Sequence, residues 1–238
     1  MKFYLDSADA AQWSLPAGCP PVVGVTTNPT LVMQAGLPVS LPGYLRLVAQ
    51  AGEHRLGELM LQLPRADVGE AAQWLETLLP AALQARVRLT IKLPCHPDWQ
   101  PVLREVQAWG VPTLLTGLSN PVQLLWARAQ GASYVAPYVG RLQADGRDVW
   151  ALLRACVAVQ GEGTQLLAAS IKSADVLAQL IALGAHAVTM RPEFAASLAT
   201  DPLTLAAMAQ FDADIASSNS SSLPVQRGNP YTASLRSQ

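Results

Sequence analysis

Short apolar runs alternate along this chain with longer helical stretches whose ends are readable. The runs are Lys2–Leu5, Val22–Val25, Leu59–Leu63, Leu89–Leu93, Pro112–Thr116, Ser133–Ala136, Leu166–Ala169 and Ala187–Met190. Most are near-continuously apolar, the pattern of strands covered on both faces. Asn120-Pro121 places an N-cap ahead of a proline at the first helical position, and Gly131 follows that helix. Asp98 is positioned to cap the preceding helix, which Gly110 terminates, and Ser173 and Gly184 bracket another. Eight strand units separated by helices predict an α/β fold, a single (β/α)8 barrel over residues 1–216. A doubly wound open sheet is the alternative, but its usual glycine-rich first turn is missing. Phe211 to Ile215 closes the last predicted helix. The serine-rich segment 217–238, broken by Gly228-Asn229-Pro230, reads as a solvated C-terminal tail or as an arm on a neighbouring subunit.

Composition narrows the function. Of 238 residues 50% are hydrophobic and 14% charged, against about 25% charged in an average soluble domain. With 16 basic and 17 acidic residues the net charge is −1, which argues against a nucleic-acid binder and its basic face. No apolar run reaches the length of a membrane span, and Asp6 interrupts the N-terminus too early for a signal peptide. Cys19, Cys95 and Cys156 read as separate reduced thiols, so the expected location is cytoplasmic. His54, His96 and His186 have no ligand spacing, so no metal and no cofactor is expected. Low charge in an Ala/Leu-rich chain implies apolar helix faces hidden in a homo-oligomer.

Lysine is scarce: only Lys2, Lys92 and Lys172 occur among the 16 basic residues. Lys92 lies in the apolar run Leu89-Thr90-Ile91-Lys92-Leu93-Pro94. An ammonium there is poorly solvated, its pKa falls, and the neutral amine can attack a carbonyl. The bland alternative is a lysine at a strand end reaching to solvent. In a barrel every second strand residue points inward, and catalytic groups come from the C-terminal strand ends. The comparable late positions are Asp6, Gln62, Thr116, Tyr138 and Ser170, all polar at the ends of apolar runs. With Lys92, six polar ends converging on one face would make a site. Lys172, past Ser170 at a helix start, reads as a solvent-facing residue.

These residues fall in motifs. Tyr4-Leu5-Asp6, Gly24-Val25-Thr26-Thr27-Asn28-Pro29-Thr30, Ile91-Lys92-Leu93-Pro94, Tyr134-Val135-Ala136-Pro137-Tyr138-Val139-Gly140-Arg141 and Ala168-Ala169-Ser170-Ile171-Lys172 occur in this order. Together they resemble the transaldolase family, specifically its short fructose-6-phosphate aldolase branch, over residues 1 to about 215. The resemblance implies that Lys92 forms a Schiff base with a ketose. It implies a proton-transferring water held among Gln62, Thr116 and Tyr138, and donor contacts from Asp6, Thr26 and Asn28. It gives Arg141 and Ser170 to the phosphate of the aldehyde half. Transaldolases typically carry Glu at the position of Gln62 and Phe at that of Tyr138, so the two residues imply the aldolase. Glu58 shares the parity of Gln62 and is the alternative for that position. Two features depart from the family pattern: the longer, more polar tail, and Ser119-Asn120 beyond the fifth run, expected to widen the mouth of the site.

The expected activity is reversible cleavage of fructose 6-phosphate to dihydroxyacetone and glyceraldehyde 3-phosphate. The partners are then a sugar phosphate and a dihydroxyacetone-type donor. The alternatives are a transaldolase moving the same unit to erythrose 4-phosphate, and a sugar-phosphate binding protein without turnover. A binding protein gains nothing from a desolvated amine.

Overall fold

The computed structural model of the chain describes residues 1–161 and 163–220. All eight expected strands form: β1 (Lys2–Asp6), β2 (Gly24–Thr26), β3 (Glu58–Gln62), β4 (Arg88–Pro94), β5 (Thr113–Leu118), β6 (Tyr134–Pro137), β7 (Gln165–Ala168) and β8 (Ala187–Met190). They pair in parallel, in sequence order, and β8 returns to β1 to close the barrel. The barrel is covered by α1 (Pro29–Gln34), α2 (Leu41–Glu53), α3 (Val68–Ala85), α4 (Gln100–Ala108), α5 (Pro121–Ala129), α6 (Val139–Ala144), α7 (Val149–Val159), α8 (Ala174–Leu183) and α9 (Pro192–Ala199). The architecture is the (β/α)8 barrel that the alternating pattern predicts.

Several helix ends follow the sequence. Asn120 caps α5 by accepting from the Gln123 N–H at 3.0 Å, with Pro121 at the first position. Ser173 accepts from the Val176 N–H, and Gly184 ends α8 at φ 83°, a left-handed conformation that costs glycine nothing. Asp98 does not cap α4. Pro97, with its fixed φ, starts a 3-10 turn over Pro97–Trp99, so Asp98 lies inside that turn and His96 takes the capping position.

The chain divides into two compact units, Met1–Ala199 and Thr200–Gln238, whereas the sequence pattern puts its boundary after residue 216. The second unit contains α10 (Pro202–Ser220), which runs past the expected end at Ile215. No proline or glycine stops it there, and the Ser217 and Ser218 hydroxyls bond back to the carbonyls of Asp214 and Ile215. The rest of the expected tail, 221–238, lies outside the described residues.

The barrel has two apolar compartments. Outward-facing strand residues such as Leu5, Val25, Leu59, Leu61, Ile91 and Leu93 pack against the helices. Inside, Tyr4, Met60, Leu114, Tyr134, Ala136, Leu167 and Ala187 form a plug beneath the C-terminal strand ends. Below it sits Glu58, only 1% exposed. Its carboxylate accepts from the Tyr4 hydroxyl (2.7 Å), the Arg88 guanidinium (2.6 Å) and the Thr90 hydroxyl (2.5 Å). Burial and the Glu58 charge together push the Tyr4 phenol well above its ordinary range, so it remains a donor. Glu58 is therefore a floor residue, held away from the barrel mouth.

In Glu58→Gln the amide turns an N–H2 toward a set of donors and orphans at least one. Loss of a charge-assisted buried bond costs about 2 kcal/mol. The urea midpoint is expected to fall accordingly, with the slope unchanged; an unaltered midpoint would contradict the bonding scheme.

Candidate active site

A cavity of about 770 Å³ opens at the C-terminal ends of the strands. Asp6, Thr26, Asn28, Gln62, Lys92, Thr116, Tyr138, Arg141 and Ser170, the whole set singled out in the sequence, line it. They arrive by different routes. Gln62 and Lys92 are direct register partners on β3 and β4, inward-facing with Met60 and Thr90 below them. Thr116 sits on β5 just before an irregularity between Thr116 and Leu118, where Gly117 takes φ 76°. Tyr138 lies one residue beyond β6 and bridges Ala169.

Ser170 does not follow strand parity: β7 ends at Ala168, and Ser170 reaches the cavity from the loop at φ 62°. For a residue with a side chain that is a sparsely occupied backbone region, of the kind that concentrates at functional sites. The loop is held where Gly140 allows it. A Cβ there would sit 2.8 Å from the Ser170 carbonyl oxygen and 3.0 Å from the Lys172 stem, so only glycine admits this approach.

Lys92 is 5% exposed, and its ammonium nitrogen donates to the Thr27 carbonyl oxygen at 2.5 Å. Burial lowers its pKa, opposed by the nearby charge of Asp6. A buried amine so biased toward its neutral form is a nucleophile suited to carbonyl carbon. The Thr116 hydroxyl donates to the Tyr138 oxygen at 2.7 Å, and the Arg141 guanidinium carbon stacks 4.4 Å from the Tyr138 ring centroid. Asp6 accepts from the Thr26 hydroxyl at 2.8 Å, and Thr26 is 2.7 Å from the Thr189 hydroxyl. The Oδ1 atom of Asn28 caps α1 through the Leu31 N–H, which leaves its Nδ2 donor for the cavity.

The cavity also holds residues that sequence reasoning passed over. Lys172 is exposed, as the sequence suggests, and also lines the rim, its stem lying over Gly140. Thr189 is signalled only as a polar residue in an apolar run. Arg191, immediately after β8, has no signal beyond its position. Ser119 and Asn120 bond Gln123 at the start of α5; they do not line this cavity, but Ser119 lines another of about 310 Å³ that shares Tyr138 and Arg141 with it. Among the described residues no group of three or more His, Cys, Asp or Glu is placed to hold a metal, and no helix is long and apolar enough to cross a membrane.

Comparison with known proteins agrees with the geometry. Residues 70–227 match the family described as Transaldolase/Fructose-6-phosphate aldolase. A probable transaldolase of Rhodospirillum centenum is 31% identical over 221 residues, covering 90% of each chain. One from Caulobacter sp. (strain K31) is 31% identical over 226 residues, covering 94% of this chain and all of the relative. Among solved structures, a 4-hydroxy-2-oxoglutarate aldolase superposes with a TM-score of 0.51 at 18% identity, over 83% of this chain and 90% of the other, a likeness of fold alone. A barrel with a desolvated lysine on β4, ringed by polar strand ends and matched along most of its length, belongs to the transaldolase/fructose-6-phosphate aldolase family.

Proposed function

We propose that this chain cleaves and forms carbon–carbon bonds of ketose phosphates through a Schiff base on Lys92, and that it acts as a fructose-6-phosphate aldolase. The observation that carries the chemistry is the buried amine of Lys92 at the base of a polar cavity. The neutral amine adds to the C2 carbonyl and water leaves, giving a protonated imine. The C4 hydroxyl then loses its proton, and the C3–C4 bond breaks with its electron pair passing to the imine nitrogen. Glyceraldehyde 3-phosphate departs, and an enamine of dihydroxyacetone remains. Protonation of the enamine at C3 and hydrolysis of the imine release dihydroxyacetone and restore Lys92.

Gln62, Thr116 and Tyr138 hold the water that carries these protons; the 2.7 Å bond between Thr116 and Tyr138 fixes the phenol's direction. Asp6, Thr26 and Asn28 orient the hydroxyls. Arg141 and Ser170 take the phosphate, the guanidinium fork suiting that anion.

Transfer to a second aldehyde is the other reading, and the names of the relatives favour it: several are called probable transaldolases. Gln62 and Tyr138 favour release, because both are neutral groups able to hold a water against the enamine. The deciding assay measures glyceraldehyde 3-phosphate released from fructose 6-phosphate with and without erythrose 4-phosphate. The aldolase reading expects turnover without the acceptor; turnover only in its presence would replace that reading with transfer. Exposed apolar residues along α10, among them Leu203, Met208 and Phe211, support assembly with further copies of the chain.

The lowered pKa of Lys92 has a sign that can be tested. A base depressed by burial loses its proton at lower pH than a free lysine, so its nucleophilic form is present earlier in a titration. Borohydride trapping of dihydroxyacetone is expected to rise with pH and to level off well below the lysine value of about 10.4. A plateau reached only at or above that value would contradict the desolvation argument.

A further inference from the structure

The charged residues lining the main cavity are strongly one-sided. They are Asp6, Lys92, Arg141, Lys172 and Arg191, in a chain whose basic and acidic residues number 16 and 17. Lys92 lies at the base, and the other three cations come after three consecutive strands: Arg141 after β6, Lys172 after β7 and Arg191 directly after β8. Adjacent parallel strands lie about 4.8 Å apart, so these positions form an arc along one side of the mouth.

Arg191 is the member of this arc that local structure does not explain. It directly precedes α9, where a positive charge opposes the helix dipole and gains nothing for stability. Its ion pair is with Glu193 at 3.6 Å, and both side chains are more than 60% exposed, an arrangement worth little to the fold. Arg191 nevertheless lines the main cavity. With Asp6, Leu31 and Gln34 it also lines a smaller one of about 120 Å³ that adjoins it, so it stands at the junction of the two.

We infer that Arg191 is a specificity-determining residue: a third cation that, with Arg141 and Lys172, reads the anionic group on the aldehyde half and favours phosphorylated over unphosphorylated substrates. The inference rests on the ketose-phosphate reading above. Four cations outnumber the one carboxylate lining the main cavity, that of Asp6, and a cleft in which one sign of charge predominates concentrates ligands of the other.

The test compares wild type, Arg191→Gln and Glu193→Gln in the addition of dihydroxyacetone to glyceraldehyde 3-phosphate and to glyceraldehyde. In Arg191→Gln the ratio of kcat/KM for the phosphorylated over the unphosphorylated aldehyde is expected to fall about tenfold through KM. Inhibition by inorganic phosphate is expected to weaken by a similar factor. Glu193→Gln is expected to keep the wild-type ratio. An unchanged ratio in Arg191→Gln overturns the inference while leaving the ketose-phosphate reading intact, and so does an equal fall in Glu193→Gln, which would make Arg191 only the counterion of that residue. If wild type itself shows no preference for the phosphorylated aldehyde, the ketose-phosphate reading falls, and the inference with it.

Discussion

Lys92→Met is expected to lower ketose turnover by at least about 10³-fold and to abolish covalent trapping by borohydride. Methionine fills much of the same space in a position only 5% exposed, and it removes a charge whose burial is unfavourable. The variant should therefore fold as well as wild type or better, so lost activity would not reflect lost structure. The acceptor left behind is one carbonyl, that of the buried Thr27, whose lost bond offsets part of that gain. Lys172→Met provides the contrast: trapping should persist, because that lysine is an exposed rim residue. Turnover in Lys92→Met within tenfold of wild type would remove the Schiff base from the account.

Tyr138→Phe separates imine formation from the later proton transfers. The ring, and with it the stacking of Arg141, is kept; the hydroxyl bonded to Thr116 is lost. Trapping of dihydroxyacetone should remain within a few-fold of wild type. Cleavage of fructose 6-phosphate should fall by about 10²-fold, the lower end of what a positioned proton-transfer group supplies. Because protonation of the enamine by the held water releases dihydroxyacetone, release should suffer more than transfer to an added aldehyde. Equal losses in trapping and cleavage would mean that Tyr138 shapes the cavity and does not direct a proton.

Much of this site is legible along the chain because strands impose strict alternation. Lys92 is conspicuous as a lysine inside an apolar run, not at its start like Lys2, and parity then links it to Gln62 on the neighbouring strand, its partner in the observed register. The same parity leaves Glu58 open as an alternative. Depth separates them: Gln62 lines the cavity, and two residue pairs lower in the barrel Glu58 is tied to Tyr4, Thr90 and Arg88. Where the chain leaves the strands, alternation no longer applies. Parity brings Ser170 to the site for the wrong geometric reason, since it enters from a loop at positive φ. Lys172 and Arg191 lie beyond strand ends, and only the close approach at Gly140 and the course of the chain after β8 bring them to the cavity. Asp98 shows the same limit at a helix start, where one proline brings the onset of helical geometry ahead of an otherwise suitable cap. The end of α10 is hard to read because serine suits both a tail and a helix that bonds its hydroxyls back to its own carbonyls.

The central claim is that a ketose becomes bonded to one particular nitrogen. Its most direct test is reduction of the protein with borohydride in the presence of fructose 6-phosphate, and then mass mapping of the peptides. The account predicts a three-carbon dihydroxyacetone adduct on Lys92, with Lys2 and Lys172 unmodified. An adduct on either of those lysines, or none in a protein that still turns the substrate over, would contradict it.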